Sequence, residues 1–274
     1  MIVKFYQIVL IFNLHCVNIS KCMNINKLRY NLGIRDEKST AMHIAVVLKN
    51  LDYKSNSLCS ISEIYGVDKN LPEIQYVEYL EERVKTKNSE NMQKILETIE
   101  LMKKDIEENY DDFLRDMGEA LDIDFQDNEQ TYCYLHFIPM NEINFENGVI
   151  YLQCQKDIKE VIRNFQIMIT KYYILKKFCE LEPLNMNLEY EPNNKTCMFV
   201  ELCIDAIVSN SNLKKYIPNP AYKYFYSLKL GNVNVLDSFR RLYPQISLDD
   251  FFGQVYMFVR DNYSKIQQFK SYLY

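Results

Sequence analysis

Two carboxylates are the residues whose placement most needs an explanation. Glu201 and Asp205 lie inside Met198-Phe-Val-Glu-Leu-Cys-Ile-Asp-Ala-Ile-Val208, a run that is otherwise apolar. A run of that composition reads as a helix buried on most sides, and acids are seldom buried without a partner. Four residues apart, the two leave a helix from one face. Such a pair can serve a site, as metal ligand or orienting acid, or it can pair with cations and fasten helices together. Lys171, Lys176, Lys195 and Arg163 are the cations that could do the fastening.

Other chemistry-bearing sets are sparse. The chain holds three histidines, His15, His43 and His136, and neither a Walker loop nor a GxGxxG fingerprint. His136 and Cys154 fall on neighbouring strands of the sequence reading, which makes them a minor candidate thiol site. A histidine in an apolar strand is more simply a hydrogen-bonded structural residue. The eight cysteines are spread through hydrophobic segments with no CxxC pair. That pattern reads as buried, reduced thiols and as a cytoplasmic protein, not a disulfide framework or a structural zinc site.

The elements that must position these residues follow from periodicity. Ser39 to Leu51 forms a first helix, and Leu71-Pro-Glu opens another through Val77, Leu80 and Val84. From Glu90 to Leu121, Met92, Ile95, Leu96, Ile99, Met102, Ile106, Tyr110, Phe113 and Met117 recur at helical spacing, with a charged opposite face. Thr131–Ile138 and Val149–Cys154 are strand-like, with Asn147-Gly148 as the turn before the second. Asp157-Ile-Lys-Glu160 is a capping box for a helix ending near Glu182-Pro183, and Asn193-Asn194 caps the acid-bearing helix. The remainder is helical, with Ser247-Leu-Asp-Asp250 opening a terminal helix.

The layout from Val149 to Asp205, a strand feeding a helix and then a second helix carrying Glu-x-x-x-Asp, resembles the gluzincin family of zinc peptidases over about 60 residues. In that family the first helix bears HExxH, two histidines that bind zinc and a glutamate that acts as general base. The second helix supplies a glutamate ligand and an orienting acid one turn later. By position the resemblance implies Glu201 as third ligand and Asp205 as orienting acid. The first helix here reads Val161-Ile-Arg-Asn-Phe-Gln-Ile-Met-Ile169, without a histidine, and HExxH occurs nowhere. The resemblance therefore implies a degenerate member that has lost zinc and hydrolysis. No cofactor is expected, and Glu201 is a metal ligand only if a metal is bound.

Composition sets the frame. Of 274 residues, 48% are hydrophobic and 25% charged, with 6 Gly and 7 Pro against 22 Tyr and 15 Phe. This favours long helices and an aromatic core over a turn-dense sandwich. The expected class is a predominantly helical α+β protein: a helical N-terminal half, then a small sheet packed by long helices. The expected units are a helical subdomain at 23–121, an acidic linker at 122–130 and an α+β domain at 131–274. Asp122, Asp124, Asp127 and Glu129 in the linker lack the glycine and closing glutamate of a calcium loop.

Residues 1–22 keep two readings: a mis-called extension upstream of a start at Met23, or a signal peptide, which would make the protein secreted. Their apolar run is short and interrupted, so no stable membrane anchor is expected. Residues 23–130 carry 14 Lys+Arg against 23 Asp+Glu, about −9, whereas residues 131–274 carry 16 against 14. Nucleic acid is thus an unexpected partner, and protein a more natural one. The sequence reading is a non-catalytic protein serving structure or interaction. Two alternatives stand beside it: an active metal-dependent hydrolase with a non-standard site, and a helix-turn-helix regulator through residues 58–84. Against the second, the reading helix would carry Glu73, Glu78, Glu81 and Glu82, which repel phosphate.

Overall fold

The computed structural model describes residues 28–50, 73–125, 129–137, 141–144, 148–154, 157–181 and 195–271. The sequence's leader at 1–22, the first helix of the helix-turn-helix around Ile61–Tyr65 with its turn at Gly66, and the Asn193-Asn194 cap lie outside the described residues. The chain is a predominantly helical α+β protein. Strand β1 (Leu28–Ile34) leads into α1 (Glu37–Asn50) and α2 (Glu73–Leu121). Next come β2 (Glu129–His136), β3 (Glu142–Asn144), β4 (Val149–Gln153) and the helices α3 (Ile158–Leu181) and α4 (Lys195–Ser209). A hairpin of β5 (Lys229–Leu230) and β6 (Val233–Asn234) precedes α5 (Val235–Leu242) and α6 (Leu248–Ser271).

The main sheet has the order β1-β2-β4-β3, with β3 alone antiparallel to its neighbour. Strand alternation divides its side chains cleanly. Cys133, Leu135, Ile150 and Leu152 enter the main core with the helices, while Tyr134, Val149 and Tyr151 form a second cluster on the other face. Gly148 supports the turn into β4 at φ 66°, and a Cβ there would meet the Tyr172 ring at 3.3 Å. The left-handed backbone favours glycine there, and any side chain would also make the Tyr172 ring shift slightly.

Several elements depart from the sequence reading. β1 is part of the sheet, so the described N-terminal half opens on a strand; Leu28-Arg-Tyr-Asn-Leu-Gly-Ile34 alternates apolar residues with Arg29, Asn31 and Gly33, a strand signal that the reading of this half as helical did not use. From Glu73 to Leu121 the second and third helical runs of the sequence reading are one helix of 49 residues, about 74 Å long at 1.5 Å per residue. Lys87-Asn88-Ser89 contains neither Pro nor Gly, and Lys87 bonds Glu90 at 2.9 Å across the join. Met92 and Leu96, placed on the apolar face by periodicity, are each 37% exposed, while Asn88 and Thr98 are buried. β3 and the β5–β6 hairpin are further additions to a stretch read as loop or helix. The start of the acidic 122–130 stretch is packed down: Lys177 donates to the Asp122 carbonyl at 3.0 Å, and Phe125 meets Tyr173 edge-on at 4.9 Å. Buried apolar residues on both sides of it, from Leu32 to Ile266, belong to one continuous core.

Helix starts follow local chemistry. The Asp157 carboxylate accepts from the N–H groups of Lys159 and Glu160 at 2.9 and 3.3 Å. At α6, Ser247 accepts from the Asp250 N–H at 3.1 Å and donates to its carboxylate at 2.7 Å. Each satisfies amides that a helix end leaves without intrahelical partners.

Candidate functional site

Every residue of α4 from Cys197 to Val208 is buried, and Glu201 and Asp205 are 0% exposed. Each acid meets a cation from a different element. Glu201 forms an ion pair through Oε1 with Lys171 of α3, itself almost wholly enclosed. Its Oε2 accepts from the backbone N–H of Tyr222 at 2.8 Å. The Tyr222 ring then lies over the ammonium, with Lys171 Nζ 4.5 Å from its centroid. The ammonium thus sits between a carboxylate and an aromatic face, each an attractive partner for a cation.

Asp205 is held by the fork of Arg240 on α5, with Nε 2.7 Å from Oδ2 and a terminal nitrogen 3.0 Å from Oδ1. That bidentate geometry fixes orientation as well as charge. The hydrogen bond to Asp205 raises the Arg240 pKa. Tyr226 closes the group. Burial pushes its phenol up, and the charge of Asp205 pushes it further, so it stays neutral and its oxygen accepts from the Ala221 N–H at 3.3 Å. Asn210, just past the end of α4, donates to the Arg240 carbonyl at 2.9 Å and so ties α5 a second time.

Of the four cations that sequence reasoning put forward, the structure brings Lys171 to the acids. Arg163 instead donates to the Pro218 carbonyl at 2.6 Å. Lys176 and Lys195 lie over the rings of Tyr173 and Tyr263. Arg240 was missed, yet a signal existed. In Val235-Leu-Asp-Ser-Phe-Arg-Arg-Leu242 the apolar residues mark one face, and Arg240 follows Leu236 by four, at that face's edge. A third buried acid was also missed. Asp116 of α2 accepts from Lys215 at 2.7 Å and from the Tyr216 hydroxyl at 3.1 Å. Burial alone would raise its pKa, but those two hydrogen bonds outweigh it and hold the carboxyl below its usual value.

The donor set does not suit zinc. Phe165 and Ile169, where the resemblance would need histidines, are buried apolar residues of the core. Both Glu201 oxygens already have donors. Among the described residues no group of three or more His, Cys, Asp or Glu side chains could hold a metal ion.

His136 and Cys154 are neighbours through the backbone, where the Cys154 N–H donates to the His136 carbonyl at 3.0 Å. Their side chains part company. Cys154 enters the main core, whereas His136 lies on the other face of the sheet, edge-on to Tyr151 at 6.5 Å. Burial pushes the Cys154 thiol up to about 12, the reverse of what a nucleophile needs.

For the helix-turn-helix, the described portion is the first three turns of α2, where Glu78 and Glu82 are exposed. No helix among the described residues is long and apolar enough to cross a membrane. No family model, curated protein or solved structure matches the chain.

Proposed function

We propose that the protein acts without catalysis, as a degenerate peptidase-like domain whose acid-bearing helix has become a fastening for structure or interaction with another protein. The observation that carries this reading is the closure of both acids: Lys171 and the Tyr222 amide occupy Glu201, and the Arg240 fork occupies Asp205. A carboxylate that must bind metal or move a proton needs an open coordination or hydrogen-bonding position. These two are already matched in charge and in donors. The fastening joins α3, α4, the Tyr222–Tyr226 turn and α5 into one block. A reducing compartment such as the cytoplasm suits the free thiols of Cys133, Cys154 and Cys203, all buried.

The test combines metal analysis with conservative substitution. Elemental analysis of the native protein is expected to find no stoichiometric zinc, while Glu201→Gln and Asp205→Asn each lower the melting temperature. Tightly bound zinc that is released by Glu201→Gln, with little loss of stability, would overturn the reading and make a hydrolase the leading one.

A further inference from the structure

We draw no further inference here: the strongest candidate, the tyrosine-rich outer face of the sheet formed by Tyr132, Tyr134, Val149 and Tyr151 with Arg35 laid over the Tyr151 ring at 3.9 Å, is an apolar face for which nothing among the described residues shows what covers it.

Discussion

Replacing Lys171 with Met removes the cation and leaves the length of the side chain. Glu201 is 0% exposed, so water cannot take over the role of the ammonium. The carboxylate keeps the Tyr222 N–H at 2.8 Å as a donor, which cannot neutralise a buried charge. Breaking a buried ion pair from one side costs roughly 3–5 kcal/mol. In chains of 150–250 residues each kcal/mol moves Tm by about 2–4 °C, so the expected fall is on the order of 10 °C. The chain has no Trp, which makes far-ultraviolet circular dichroism the better thermal readout, with urea titration for the free energy. The double variant Lys171→Met/Glu201→Gln tells why the single one fails. Gln keeps an oxygen that can accept from Tyr222 while removing the stranded charge, so the double variant should recover more than half of the loss. A double-mutant cycle reads that recovery as coupling. If Lys171→Met costs less than about 1 kcal/mol, or if the double variant is no more stable than the single, the fastening argument fails.

Three other outcomes follow from the same geometry. Arg240→Lys keeps the charge but cannot reproduce the fork on Asp205; losing one charge-assisted bond should cost about 1.5–3 kcal/mol in urea unfolding, with Arg240→Met costing more. Asp116, whose folded pKa is depressed, contributes stability that is complete above the ordinary carboxylate range near about 4 and is lost as pH falls through the lower folded value. Asp116→Asn should therefore lower Tm at neutral pH and flatten its decline on acidification, and an unchanged acid limb would contradict the assignment. Among the described cysteines, Cys179 is partly exposed while the thiols of Cys133, Cys154 and Cys203 are raised by burial. Alkylation of the folded protein followed by peptide mass spectrometry should label Cys179 ahead of Cys133, Cys154 and Cys203, and early labelling of Cys154 would refute its placement.

Legibility in the sequence tracked how local each cause was. α3 and α6 could be read because their first turns carry their own caps, Asp157 and Ser247, ahead of a clear apolar period. β2 and β4 could be read from β-branched and aromatic content, helped by a glycine at the turn. β1 was legible too, in the alternation of Leu28, Tyr30, Leu32 and Ile34 with Arg29, Asn31 and Gly33, but it was absorbed into a half read as helical, and its parallel partner β2 is far away in the chain. The two runs now joined in α2 looked separate because apolar residues thin out around Asn88, although nothing there breaks a helix. At the site, the improbability of burying Glu201 and Asp205 was visible in the sequence, and Lys171 was within the set of cations considered. Arg240 is 35 residues from Asp205, and only the return of the chain through the Tyr222–Tyr226 turn brings it back.

The parallel pairing of β1 with β2 also sets a timetable for synthesis. Leu32 is matched to Cys133, so about a hundred residues separate the first strand from its partner. At roughly 5–20 residues per second, the ribosome makes β1 some 5–20 s before β2 exists. During that interval α1 and much of α2 can form from local contacts, but the strand edge that β2 will occupy has no native partner. Unpaired edges invite association with other chains. A nascent chain stalled before Glu129 should therefore engage holding chaperones, and release from them should coincide with the emergence of β2.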